Sequence, residues 1–157
     1  MVTEKDLASL SFAGAPKIIT GSVPGPEGEK ILRDSIKFES MARGAGTFPL
    51  VCEEGKGATV KDPDGNIFID ITAGVAVTSV GRCHPTVQAV IKNQMTKLMH
   101  GGDWSNTKRA ELAEKVSSIM PAGLRDNCVT YFNQGGSGAV ETAIKFARKI
   151  TGRNQIE

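Results

Sequence analysis

A run of small residues, Gly135-Gly136-Ser137-Gly138, joins two segments of opposite periodicity. Before it, Cys128-Val129-Thr130-Tyr131-Phe132 is β-branched and aromatic, which predicts a short buried strand. After it, Ala139, Val140, Ala143, Ile144, Ala147 and Ile150 recur at helical spacing, with Glu141, Lys145, Arg148 and Lys149 on the opposite face. The cations crowd the second half, where the helix dipole favours them, and Thr151-Gly152 supplies a stop. Strand, glycine turn and helix make half of a βαβ unit, and α/β proteins place ligands at the carboxyl ends of such strands.

The chemistry this joint offers is anion binding. The first N–H groups of a helix have no intrahelical partner, and the dipole adds partial positive charge there. Glycines let the backbone approach a phosphate ester closely, and Ser137 adds a hydroxyl donor. The pattern is neither a dinucleotide fingerprint, whose glycines are spaced more widely, nor a P-loop, since no Lys-Ser/Thr pair follows Gly138. Many glycine-rich turns bind nothing, so spacing alone leaves an anion site and an ordinary turn both open.

Bulk properties narrow the function classes. A chain of 157 residues is long enough to bury a core, and 18 glycines point to many tight turns and close backbone approaches. A net charge of +2 is too small to imply nucleic acid or an anionic membrane as partner. Cys52, Cys83 and Cys128 are odd in number and widely spaced, which fits neither a metal site nor a disulfide scaffold. Reduced thiols, an N-terminus without a signal-peptide core and no long apolar run predict a cytoplasmic protein without a membrane span.

Along the chain, residues 11–28 read as an extended lead-in rich in Gly and Pro. Ile31, Leu32, Ile36 and Phe38 predict a helix over 27–41, ended by Gly44-Ala45-Gly46. Strands are predicted at 50–53, 58–61 and 67–70, with Asp62-Pro63-Asp64-Gly65 as hairpin turn. Residues 71–85 are too glycine-punctuated for a strand and too apolar for a free loop, as expected of a segment that lines a pocket. Further helices are predicted over 86–99, with Val87, Val90, Ile91, Met95 and Leu98 inward, and over 107–120, with Ala110, Ala113, Val116 and Ile119 inward.

Three blocks, in order, resemble the class III (ω-amino acid) aminotransferases, pyridoxal-phosphate enzymes of fold type I. The first is Val60-Lys61-Asp62-Pro63-Asp64-Gly65-Asn66-Ile67-Phe68-Ile69-Asp70, continued by Ala73-Gly74-Val75-Ala76-Val77, Gly81 and His84-Pro85. The second is Arg109-Ala110-Glu111-Leu112-Ala113-Glu114-Lys115-Val116. The third runs from Gly136-Ser137-Gly138-Ala139-Val140-Glu141 to Ala147-Arg148. The resemblance covers residues 25–157, and within the family the 4-aminobutyrate aminotransferases look most similar.

The resemblance implies an α/β fold: a small-domain α+β opening over 1–70, then the beginning of the pyridoxal-phosphate-binding large domain over 71–157. It implies pyridoxal 5′-phosphate as cofactor, its phosphate held by Gly135, Gly136 and Ser137, and Val75 against the substrate's carbon chain. Trp104 falls near a position often aromatic in relatives, and a half-buried packing role fits it equally well. The implied reaction moves an amino group from an ω-amino acid, 4-aminobutyrate-like, to a 2-oxo acid, in a homodimer with its active site at the subunit interface. Family members run well over twice this length, so the Schiff-base lysine is expected beyond Glu157, and no catalytic residue is assigned within the chain. Lys92, Lys97, Lys108, Lys115, Lys145 and Lys149 all read as solvated charges. An amino-acid racemase on the same scaffold and a non-catalytic phosphate- or partner-binding protein are the alternatives. These residues taken alone are expected to fold poorly or aggregate.

Three positions depart from the family pattern. Gly135 stands for a usual Ser, Gly138 for a usual Glu, and Arg82 for the first His of a Gly-His-x-His-Pro stretch.

Overall fold

The computed structural model of the chain describes residue 8 and residues 10–40 and 49–155. They form two compact units, Met1–Met99 and His100–Glu157.

The first unit is built on a three-stranded antiparallel sheet, β1 (Glu54–Lys56), β2 (Thr59–Lys61) and β3 (Ile67–Ile69), in that order. Its register pairs Glu54 with Lys61, Lys56 with Thr59, and Lys61 with Ile67. The first strand begins later than the predicted 50–53, and the reason is the turn that follows it. Gly57, at φ 54°, makes a two-residue reversal, and the Thr59 hydroxyl donates to the Lys56 carbonyl at 2.7 Å. Turn geometry fixes hairpin register, and it outweighs the apolar character of Leu50 and Val51.

The predicted turn between β2 and β3 is present and does more than reverse the chain. The Gly65 N–H closes it onto the Asp62 carbonyl at 3.1 Å. Asn66, fully buried, accepts at Oδ1 from the Ile19 N–H at 2.8 Å and the Thr20 N–H at 3.1 Å. Its amide nitrogen donates to Asp62 Oδ2 at 2.7 Å, and its own N–H donates to Asp62 Oδ1 at 2.7 Å. Next door, Lys17 pairs with Ile67 through two backbone bonds of 2.9 and 2.7 Å. The lead-in is thereby fastened to the sheet by polar groups.

Asp64 also starts a helix that lies 36 residues earlier in sequence. Helix α1 (Pro26–Ser35) has Gly25 as N-cap, with no side chain of its own to offer the first amides. Asp64 supplies the acceptors instead, taking the Glu27 N–H at 2.9 Å and the Gly28 N–H at 2.8 Å. A Cβ on Gly25 would lie 2.5 Å from Asp64 Cγ, so the approach requires glycine. The predicted helix over 27–41 is shorter than expected: after Ser35 the chain continues as hydrogen-bonded turns to Glu39. Met41 and Gly44-Ala45-Gly46 lie outside the described residues.

Helix α2 (Pro85–Met95) closes the first unit, and the second carries α3 (Thr107–Ser118), a 3-10 turn (Ala122–Leu124) and α4 (Gly136–Thr151). Asn106 caps α3 by accepting the Arg109 N–H at 2.9 Å. Gly152, in the left-handed conformation at φ 70°, ends α4 as the sequence predicts. The predicted strand over 128–132 is absent, because residues 100–155 contain no strand for it to pair with. The segment keeps its aromatic contacts instead: Tyr131 meets Phe146 edge-on at 6.0 Å, and Arg109 sits 5.6 Å from the Phe132 ring.

The helices form where predicted, but their apolar stripes are not covered. Val90, Ile91, Val140 and Ile150 are all exposed, and Val60 is the one buried apolar side chain among the described residues. Polar contacts at the β2–β3 turn therefore carry much of the order of the first unit. Replacing Asp64 by Ala removes the remote cap and is expected to cost about 1–2 kcal/mol of α1 stability. Asn66→Ala strands two backbone donors and a carboxylate, and should cost about 3 kcal/mol. Native-state hydrogen exchange at the amides of 27–31 and 19–20 in the complete protein reads both effects.

Candidate functional site

The glycine turn before α4 has the geometry of an anion cradle. Gly135 adopts φ 112°, ψ 169°, a region essentially restricted to glycine. The first bond of the helix runs from the Ala139 N–H to the Gly135 carbonyl at 3.0 Å. The N–H groups of Gly136, Ser137 and Gly138 precede it and are left for an outside acceptor. A Cβ on Gly135 or Gly136 would meet nothing within 4 Å, so the space beside these amides is open. With the α4 dipole behind them, these groups fit a phosphate.

A residue the sequence reading missed holds this turn in shape. Asn133 Nδ2 donates to the Gly138 carbonyl and to the Thr142 hydroxyl, each at 2.7 Å, and Oδ1 accepts the Gln134 N–H at 2.8 Å. A Cβ on Gly138 would lie 2.7 Å from Asn133 Oδ1. The departure from Glu to Gly138 therefore makes room for the asparagine clamp, and the departure from Ser to Gly135 serves the backbone angle. The only sequence signal for the clamp was an amide side chain at the foot of the glycine run.

Val75 lies in the first unit, on a turn of unusual hand. Ala73, Gly74, Val75 and Ala76 have φ of 49°, 60°, 65° and 61°, one turn of left-handed helix over Ala73–Ala76. For the three residues with a Cβ this conformation costs roughly 1–2 kcal/mol each, so it persists only where neighbours impose it. Asp70 imposes it. Its carboxylate accepts from the Thr72 hydroxyl at 2.7 Å, and from the N–H groups of Thr72, Ala73 and Gly74 at 2.9, 3.1 and 3.2 Å. Arg82 Nη1 completes the set with an ion pair at 2.5 Å. The Thr72 hydroxyl above all, then Arg82, holds the Asp70 carboxyl far below the ordinary carboxylate range.

Val75 itself is 87% exposed, presented outward rather than packed. Beside the turn opens a cavity of about 590 Å³, apolar along Leu50, Phe68 and Ile69 and polar at Asp70, Thr72 and Arg82. Trp104 is 79% exposed, which excludes the half-buried packing role within its unit. Lys145 and Lys108 are largely exposed and paired with Glu141 and Glu111, as expected of solvated charges.

Residues 40–156 match the family described as aminotransferase class-III. The chain belongs to the class-III aminotransferases. Class-III relatives include an acetylornithine aminotransferase of Methanosarcina mazei, 46% identical over 110 residues, covering 69% of this chain and 27% of that protein. An alanine/serine racemase of Pyrococcus horikoshii is 36% identical over 143 residues, covering 90% of this chain and 29% of that protein. Among solved structures, the ornithine aminotransferase of Toxoplasma gondii ME49 superposes with a TM-score of 0.66 at 27% identity, covering 78% of this chain and 27% of that one. The acetylornithine aminotransferase of Elizabethkingia anophelis does so with a TM-score of 0.66 at 25% identity, over 78% of this chain and 30% of that one. The class-III chain thus spans about 30% of the length of the proteins it matches, and it is part of a fold-type-I architecture.

Class-III aminotransferases use pyridoxal 5′-phosphate, and the open amides at the α4 N-terminus suit its phosphate. Gly135→Ala would force a side chain into a glycine-only conformation, costing of order 1–3 kcal/mol. Cofactor affinity in the complete protein, measured by equilibrium dialysis, should fall about tenfold or more. A second expectation concerns Asp70. Its folded-state pKa lies below its unfolded value, so its contribution is complete above the ordinary carboxylate range and is lost only as pH falls through the lowered value. Exchange protection at Thr72, Ala73 and Gly74, corrected for intrinsic rates, should therefore stay constant from pH 7 to about pH 5 and vanish only in strong acid.

Proposed function

We propose that the complete protein is a pyridoxal-phosphate-dependent transaminase that moves an amino group from an ω-amino acid to a 2-oxo acid. The observation that carries this reading is the glycine turn of a class-III chain, with open amides from Gly136 to Gly138 below a glycine-only Gly135. In this reading Gly135, Gly136 and Ser137 bind the cofactor's phosphate through backbone N–H groups and the Ser137 hydroxyl, and Asn133 keeps the cradle from collapsing. When bound, the cofactor supplies an electron sink to the reacting carbon. Val75 packs against the donor's carbon chain and excludes water from it.

The domain assignment that goes with this reading puts a small-domain opening at 1–70 and the start of the cofactor domain at 71–157. The donor class rests on the relatives, several of which are named acetylornithine aminotransferases. N-Acetylornithine and 4-aminobutyrate both present a terminal amine on an extended chain, and both belong in the first screen. A homodimer fits the outward apolar side chains Val75, Val77 and Val80. The three free thiols fit a cytoplasmic setting.

The racemase likeness, which covers 90% of the chain, supports a second reading: return of the proton to the same carbon rather than loss of the amino group. The experiment is a pair of assays on the purified complete protein with added cofactor. Amino transfer from either ω-amino donor, strictly dependent on a 2-oxo acid, supports the transaminase. Loss of optical activity from L-alanine without a 2-oxo acid supports the racemase and overturns it.

A further inference from the structure

Arg82 is the one departure from the family pattern that lies outside the glycine turn, and the structure places it with unusual care. Its backbone bridges Gly57 through bonds of 2.8 and 2.9 Å. Its side chain crosses β1 at Gly55, where a Cβ would come within 2.5 Å of Arg82 Cδ, so the strand keeps a glycine under the arginine stem. The guanidinium then reaches Asp70 Oδ2, and its Nη2 would stand 3.6 Å from a Cβ on Gly74, beside the left-handed turn. The side chain is 25% exposed and lines the polar end of the cavity beside the turn.

Those contacts converge on one carboxylate. Asp70 has two oxygens and receives four hydrogen bonds from the turn and one ion pair from Arg82. Three amides of the segment Thr72 to Gly74 donate to it, and bonds to an ionised carboxylate are roughly twice as strong as those to a neutral acceptor. Among the described residues no other side chain hydrogen-bonds the four left-handed residues, and the remaining bonds of the segment, Ala76 N–H to Thr72 and the Val77 and Thr78 N–H groups to Ala73, run within the turn and its exit. Val75 sits third in that turn and faces outward.

We propose that Asp70 and Arg82 form the positioning pair for the amino donor, holding the left-handed turn Ala73–Ala76 at the angle that presents Val75 to the donor's carbon chain. The inference rests on the transaminase reading and on Val75 as a donor contact. Neither Asp70 nor Arg82 touches the donor; both act through the turn. Because the contact made by Val75 is with the chain of the donor rather than with the reacting carbon, its loss weakens binding more than it slows turnover.

The test uses the complete protein with cofactor, and the variants Arg82→Met, Arg82→Lys and Gly55→Ala, the last pushing the arginine stem aside while leaving its charge. Hydrogen exchange is read at Thr72, Ala73 and Gly74, alongside KM and kcat for a longer and a shorter ω-amino donor. Arg82→Met and Gly55→Ala should raise exchange at those amides about tenfold. They should raise KM for the longer donor about tenfold, with kcat within about twofold, and Arg82→Lys should recover most of both losses. Unchanged exchange overturns the proposal, and so does faster exchange with KM unmoved or with kcat falling as much as kcat/KM. If the unaltered protein transfers no amino group, the transaminase reading falls and this proposal falls with it. If it does, and the variants bind donor normally, the proposal alone falls.

Discussion

The first unit depends on the five residues from Asp62 to Asn66, in which one buried amide and two carboxylates tie together three stretches of chain. Asn66 is saturated: its oxygen takes donors from Ile19 and Thr20, and its nitrogen serves Thr20 and Asp62. Such a group is costly to bury unless its partners are in place. Asp64, two residues earlier, accepts the first amides of α1. With Val60 the one buried apolar side chain among the described residues, this polar knot does the organising that an apolar core does elsewhere.

Asp70 repeats the device a few residues later. It too gathers backbone amides, here to fix a turn that the chain would not adopt unaided. The two knots are joined by β3, whose three residues run from one to the other. Fold and candidate site share one support in this unit.

What was legible in the sequence follows from how local each feature is. The Asp-Pro-Asp-Gly turn and the glycine stop of α4 depend on residues within a few positions, and they stand as read. The strand over 128–132 did not, since a strand is a relation between segments and its β-branched run has no neighbour in the second unit. The helical stripes were read correctly as stripes, but Val140 and Ile150 remain uncovered because covering them also takes a second layer. Asp64 as a remote cap and Asp70 with Arg82 were invisible because their partners lie 12 to 37 residues away in sequence. Of 71–85, expected from composition to line a pocket, Ile71, Thr72 and Arg82 do so while Val75, Val77 and Val80 are exposed, and the left-handed turn inside the segment was not legible.

The departures from the family pattern become coherent once paired with the residues that accommodate them. Gly135 without its usual hydroxyl gains a backbone angle that no other residue adopts, and Gly138 without its usual carboxylate admits Asn133. Both changes shift the work at the turn from side chains to backbone amides and one asparagine. Arg82 follows the same logic in the other unit, where an imidazole gives way to a guanidinium that ion-pairs with Asp70. The ion pair with Asp70 then persists wherever the carboxylate is ionised. Each substitution exchanges a group whose hydrogen bonding varies with rotamer or pH for one whose geometry is fixed by the chain around it.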